Sequence, residues 1–153
     1  MADFLTILEE PRGDAYVALL RFAQSVSSLV SLVWRDQMHF APSAALIADE
    51  LREDLVLEEK TDEWPGTKLL GHFATIRQYR LSDRSRKILV AAGGLYSWEA
   101  PARPEDLALY AADGRPWLGS IAHERDSFVY RDVVDLDRLL AEVHGIKVQT
   151  EEG

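Results

Sequence analysis

The sequence contains no cysteine, and none of its apolar runs approaches the length of a membrane-spanning helix. Without cysteine there are no disulfides, no thiolate metal ligands and no thiol nucleophile. A bilayer span needs roughly 18 consecutive apolar residues. The first residues, MADFLTILEEPRGD, carry acids where a secretory signal carries Lys or Arg. We therefore expect a cytoplasmic protein that has no membrane partner and no cofactor.

Basic charge is also scarce, because the formal net charge is −9. Proteins that bind nucleic acid over a broad face need a contiguous basic surface to neutralise phosphates. Only the basic cluster between Arg77 and Lys87 could begin such a surface. Its members are Arg77, Arg80, Arg84, Arg86 and Lys87. We expect no direct binding of nucleic acid.

Most of the imbalance lies in one short acidic run, which has eight acids against Arg52 and Lys60. The acids are Asp49, Glu50, Glu53, Asp54, Glu58, Glu59, Asp62 and Glu63. Such runs are usually solvated helix faces, but they can also engage a basic partner and accelerate encounter. Tryptophan is enriched at binding hot spots. We therefore predict that the run and Trp64, exposed as an anchor, bind a partner; Trp98 is a second candidate anchor.

The chain has the length of a single domain, so we expect one globular α+β domain over residues 1–153, with loose packing at 1–10 and fraying at 150–153. Apolar spacing predicts a helix from Asp14, and β-branched and aromatic residues predict a strand over Leu29–Trp34. Ser43 is a candidate N-cap for a second helix that ends near Leu55 and carries most of the acidic run.

The second half of the sequence favours an antiparallel sheet. The predicted elements are a strand over 68–81, a helix capped by Ser82 and stopped by Gly93 and Gly94, a hairpin around Asp113-Gly114, a strand over Ser127–Tyr130, a helix from Asp135, and a short strand over Ile146–Val148. Sequential hairpins with separate helices indicate an α+β fold whose helices pack on one face of a mainly antiparallel sheet.

Candidate chemistry is confined to His123-Glu124, since imidazole and carboxylate together ligate zinc or shuttle protons. The second histidine of a zinc-protease H-E-x-x-H motif would fall on Ser127, so we favour a polar turn and predict no metal site. No catalytic residue is assigned. A small enzyme or ligand-binding domain centred on His123 and Glu124, with His72, stays an alternative.

Four segments resemble one group of proteins. They are 32–37 (LVWRDQ), 61–67 (TDEWPGT), 95–101 (LYSWEAP) and 104–128 (PEDLALYAADGRPWLGSIAHERDSF), about a third of the chain. Together they resemble small, uncharacterised bacterial proteins of the kind found as immunity proteins beside polymorphic toxins. The resemblance implies a cytosolic protein that blocks a cognate toxin by occluding its site, and it assigns no binding residues.

Three hypotheses follow. The first is a non-enzymatic immunity protein that meets a basic toxin domain through the acidic run. The second is the enzyme or ligand-binding domain described above. The third is a homo-oligomeric structural protein in which the acidic run and the basic cluster pair between subunits. The sequence leaves the oligomeric state open.

Overall fold

A seven-stranded antiparallel sheet and a separate two-stranded hairpin form the centre of the computed structural model, which describes residues 4–149. The strands are β1 (Phe4–Thr6), β2 (Leu29–Arg35), β3 (Leu55–Thr61), β4 (Glu63–Trp64), β5 (Thr67–Lys68), β6 (Ala74–Arg80), β7 (Glu105–Tyr110), β8 (Pro116–Ile121) and β9 (Asp126–Tyr130). The helices are α1 (Asp14–Ser25), α2 (Pro42–Leu51), α3 (Asp83–Val90) and α4 (Leu136–Glu142). The sheet order is β1-β9-β8-β7-β2-β6-β3. The predicted single-domain α+β fold is confirmed.

All four helices contribute to one apolar core against one face of the sheet. The apolar spacing of α1 turns Tyr16, Leu19 and Leu20 inward, and all three are fully buried. The Tyr16 hydroxyl donates a hydrogen bond of 2.6 Å to the carbonyl of Leu89 on α3. It also accepts one of 2.9 Å from the Trp98 indole. Trp98 is therefore a core residue, and the prediction that it could be an exposed anchor is wrong.

Of the two helix N-caps predicted from the sequence, Ser82 is confirmed and Ser43 is wrong. Ser82 caps α3 as expected, since its hydroxyl accepts from the Ser85 amide at 3.1 Å while the Ser85 hydroxyl accepts from the Ser82 amide at 2.9 Å. In α2 the N-cap is Ala41, with Pro42 in the first turn, and the Ser43 hydroxyl instead donates to the carbonyl of Ala102.

The second predicted helix ends earlier than expected, at Leu51. A single 3₁₀ turn, Arg52–Asp54, leads directly into β3. β3 pairs along its length with β6, so backbone hydrogen bonds with a distant strand keep residues 55–61 extended. The prediction that one helix carries most of the acidic run is wrong.

The sheet has one covered edge and one open edge. β1 pairs with β9, and residues 147–149 cover its outer side through bonds from Leu8 N to Lys147 O (2.7 Å) and from Gln149 N to Thr6 O (2.8 Å). The loose packing predicted for residues 1–10 is thus wrong from Phe4 onward, while the predicted fraying at 150–153 lies outside the described residues. Within residues 4–149, no strand pairs with the outer side of β3.

The β4–β5 hairpin packs on the sheet face opposite the helices and splits the strand predicted over 68–81. Trp64 forms a second small core there with Val33, Ala74 and Ile76. The hairpin turn lies close to β8 and β9 because Gly66 and Gly119 have no side chain to collide with the Phe128 ring. A Cβ at Gly66 would lie 2.8 Å from the Phe128 ring, and one at Gly119 would lie 2.6 Å from it. No helix within the described part of the chain is both long enough and apolar enough to cross a bilayer.

Candidate functional site

An open groove of about 510 Å³ crosses the sheet on the face that carries the β4–β5 hairpin. Its polar and aromatic lining comes from five different strands: Glu59 on β3, Glu63 on β4, Gln78 on β6, Tyr110 on β7 and Tyr130 on β9. The hairpin turn at Pro65 and Gly66 and the β7–β8 connection also line it. Because alternate residues of a strand point to opposite faces, Glu59, Gln78, Tyr110 and Tyr130 share the helix-free face, and Glu63 lies on the hairpin that packs over it.

Tyr110 is the most enclosed polar group of the groove. Its hydroxyl accepts a hydrogen bond of 3.2 Å from the buried Ser31 on the neighbouring strand β2. Burial raises the pKa of Tyr110, the bond from Ser31 opposes the rise, and the nearby Tyr130 and Glu59 add to it. Burial also raises the pKa of Tyr130. Both phenols are therefore neutral at physiological pH, and the groove takes its charge from its carboxylates.

Glu59 and Glu63 supply that charge, and both are exposed. Neither carboxylate has an ion-pair partner within residues 4–149. Glu50 also lacks such a partner, but it lies on α2, where its backbone carbonyl accepts a bond from Arg84. Two unpaired negative charges therefore stand beside one aromatic groove.

The other acids of the run are already engaged within the chain. Glu58 pairs with Arg77 at 3.1 Å, Glu53 with Arg84 at 3.2 Å, Asp62 with Lys68 at 3.8 Å, and Asp49 with Arg52, while the buried Asp54 accepts from the Ser82 hydroxyl at 2.9 Å. The sequence predicted one acidic face, but the structure distributes the run over α2, a 3₁₀ turn, β3 and β4. Two arginines of the basic cluster neutralise part of it within the same chain.

Trp64 is only 5% exposed, so the prediction that it is an exposed anchor is wrong. Its indole Nε1 donates a hydrogen bond of 3.1 Å to Asp106 Oδ2. The Arg35 guanidinium lies 5.3 Å from the centre of the Trp64 ring. Trp64 therefore holds the hairpin on the sheet. It forms part of the wall of the groove and is not an exposed anchor for a partner.

A buried ionic cluster of Arg35, Glu105 and Asp106 supports Trp64 from below. Arg35 Nε lies 3.2 Å from Glu105 Oε1, and Arg35 Nη2 lies 3.7 Å from Asp106 Oδ2. The first contact is an ion pair without a hydrogen bond, since neither atom has a hydrogen-bond partner. Asp106 adopts a positive φ of 52°, and its Oδ1 accepts the Ala122 amide at 3.0 Å.

Electrostatics within this cluster are dominated by burial. Burial raises the pKa of Glu105, Arg35 lowers it and Asp106 raises it again. Burial likewise raises the pKa of Asp106, against the bonds from the Ala122 amide and the Trp64 indole. A strained backbone with two adjacent buried carboxylates persists only where its surroundings fix it. In this protein the buried cluster fixes the position of the hairpin that carries Glu63.

The histidines named from the sequence lie elsewhere. His123 and Glu124 occupy a 3₁₀ turn, Ala122–Glu124, with side chains 45% and 59% exposed and with 3.6 Å between Nε2 and Oε2. His72 lies in the exposed loop between β5 and β6. None of the three lines the groove. Over residues 4–149, no group of three or more His, Asp or Glu side chains is placed to hold a metal ion.

The fold and the groove together define an α+β domain with one helix-covered sheet face and one open, acidic and aromatic face. Comparison with protein-family models, with curated proteins and with solved structures finds no match. The open face is therefore the feature of this protein that bears on its function.

Proposed function

We propose that the protein is a non-enzymatic, cytoplasmic immunity protein that neutralises a bacterial toxin by docking its open sheet face on a basic surface of that toxin. The observation that carries the proposal is the pair of unpaired carboxylates, Glu59 and Glu63, beside a groove lined by Tyr110 and Tyr130. The resemblance of four sequence segments to immunity proteins of polymorphic toxins agrees with it.

Unpaired carboxylates are suited to a partner because docking breaks no ion pair within the chain. Charges at the rim of an interface steer diffusional encounter and reject partners of the same sign. The neutral phenols add contact area, and tyrosine side chains bury a large surface at a low cost in conformational entropy. A toxin that acts on nucleic acid has a basic cleft, which an acidic protein can occupy in place of phosphate.

Contact explains this arrangement better than proton transfer does. The two phenols are neutral at physiological pH, since burial only raises pKa values that are ordinarily 10.0, and the two carboxylates are open to solvent. General acid–base catalysis needs a group whose pKa is matched to the working pH and which is aimed at a reacting atom. The groups whose pKa is raised by burial, Glu105 and Asp106, are enclosed beneath the hairpin and bonded there.

A toxin-inhibition titration tests the proposal. The genes beside this one are searched for a toxin domain, and the activity of that domain is measured against increasing amounts of this protein. The wild-type protein is expected to inhibit, and Glu59→Lys/Glu63→Lys is expected to raise the concentration for half inhibition by at least about tenfold, since steering by complementary charge affects association by 10-fold or more.

The matched control is Glu50→Lys/Glu53→Lys, which makes the same change in net charge on α2 and the following turn. We expect it to inhibit like the wild type. Equal loss in both variants would instead assign binding to the acidic run as a whole. No inhibition by the wild-type protein would refute the proposed function.

A further inference from the structure

The groove combines two features that recognise positive charge. Its carboxylates, Glu59 and Glu63, have no ion-pair partner within residues 4–149, and the partly exposed ring of Tyr130 lies on the same open face, beside the buried Tyr110. The two features adjoin one another, because Glu59 lies close enough to Tyr110 to raise the pKa of its phenol. The lining includes no lysine, arginine or histidine.

The chemistry of this lining excludes most other occupants. An anion would meet two carboxylates without a compensating base. An apolar group would bury those carboxylates without a partner, which costs several kcal/mol per charge. A cation over the face of a tyrosine ring is attracted by the ring quadrupole. A guanidinium or ammonium group can do this while it pairs with a carboxylate.

A second copy of this chain docked symmetrically through the same face does not fit the groove either. A symmetric dimer formed through this face would present the same patch from both copies. It would bring Glu59 and Glu63 of one copy towards those of the other, and like charges in close opposition are destabilising. The charge of the groove therefore selects a partner of the opposite sign.

We propose that the groove holds an arginine or lysine side chain of the partner protein, with its charged group over the partly exposed ring of Tyr130 and against the carboxylates of Glu59 and Glu63. This inference rests on the proposed function and specifies the chemistry of the contact. Gln78, which also lines the groove, offers an amide oxygen as a further acceptor.

A peptide titration tests the inference without the toxin. The probe is hexa-arginine, and the matched control probe is the same peptide with citrulline, a neutral side chain of similar shape, at every position. Binding is followed by isothermal titration and by shifts of the groove amides in NMR spectra. We expect the arginine peptide to bind at the groove and the citrulline peptide not to bind.

Variants of Tyr130 separate the ring from the charge. Tyr130→Phe keeps the ring and should bind hexa-arginine like the wild type. Tyr130→Leu removes the ring face and should weaken binding by about 2- to 30-fold, the range that a cation–π contact supplies. Glu59→Gln/Glu63→Gln should weaken it as well. Thermal unfolding of each variant checks that the fold is kept.

Three results would overturn the inference. The citrulline peptide could bind as well as hexa-arginine, or hexa-arginine could bind Tyr130→Leu and Glu59→Gln/Glu63→Gln as well as it binds the wild type. The third is that spermidine binds in the groove and hexa-arginine does not. The last result would assign the groove to a free amine. Each of these leaves the toxin titration intact as a test of the proposed function. Conversely, failure to inhibit the toxin does not change the peptide result.

Discussion

Replacing Arg35 with methionine should destabilise the protein strongly, because the guanidinium is the only counter-charge that contacts two buried carboxylates within residues 4–149. Its side chain is 12% exposed, and those of Glu105 and Asp106 are 2% and 0% exposed. Removing one partner of a buried ion pair costs about 3–5 kcal/mol. For a chain of this length that loss lowers the melting temperature by about 6–20 °C.

The variant is measured by urea unfolding, followed through tryptophan fluorescence and circular dichroism. Methionine keeps most of the apolar stem, so the loss reports on charge and not on a cavity. The matched control is Arg35→Met/Glu105→Gln, which removes one of the stranded charges. We expect this double variant to be more stable than Arg35→Met alone.

Acid should also rescue Arg35→Met in part. Arg35 lowers the pKa of Glu105 and Asp106, so its removal lets both carboxylates take up protons at higher pH. The gap in free energy of unfolding between the variant and the wild type should therefore narrow from about pH 7 to about pH 5. A loss below about 1 kcal/mol at pH 7, or a double variant no more stable than the single one, would refute the role given to this cluster.

Three further predictions concern pH, the hairpin turn and a helix cap. Burial raises the pKa of Glu105 above its ordinary 4.5, so the native state binds the proton of this carboxyl group more tightly than the unfolded chain does. The contribution of Glu105 to stability therefore falls as the pH rises above about 4.5. Glu105→Gln should flatten the decline of the urea midpoint with rising pH, and an unchanged slope would contradict this. Gly66→Ala should cost about 1–3 kcal/mol more than Gly71→Ala, since both glycines have positive φ but only Gly66 faces the Phe128 ring; equal losses in thermal unfolding would count against close packing of the hairpin. Ser82→Ala should lose about 0.5–2 kcal/mol through the α3 cap, and Ser82→Thr, which keeps the hydroxyl, should lose less; equal denaturation midpoints would exclude the cap as a stabilising feature.

Elements specified by local signals could be predicted from the sequence. The apolar spacing of α1, the Ser82 cap of α3 and the turn at Asp113-Gly114 each depend on a few neighbouring residues, and the structure contains all three. Gly114 has the positive φ of 94° that the turn requires. Local chemistry was therefore sufficient for these three features.

Elements that depend on distant partners could not. The residues of β3, LVLEEKT, do not alternate between apolar and polar, and β3 is a strand because β6 pairs with it. The strand β1 exists because β9 and residues 147–149 supply its hydrogen bonds on both sides. Neither partner is close in sequence, so no local pattern predicted these strands.

The candidate site also contains residues that the sequence identified and residues that it did not. Glu59 and Glu63 were named from the acidic run, but the tyrosines that complete the groove were missed, because five strands bring these side chains together. The signal available in the sequence was Tyr110, which directly precedes the predicted hairpin turn. The buried ionic cluster was also missed; adjacent Glu105 and Asp106 at the start of an otherwise apolar strand were its only mark.

The most direct test of the central claim is a hydrogen-exchange footprint of this protein with the toxin partner that the proposed function requires. Amides of β3, the β4–β5 hairpin and the β7–β8 turn border the groove, and we predict that the toxin slows their exchange. Amides of α2, where Glu50 lies, should exchange at the rate of the free protein. Protection confined to α2 or to the helix-covered face would contradict the claim that this protein binds its partner through the open, acidic face of its sheet.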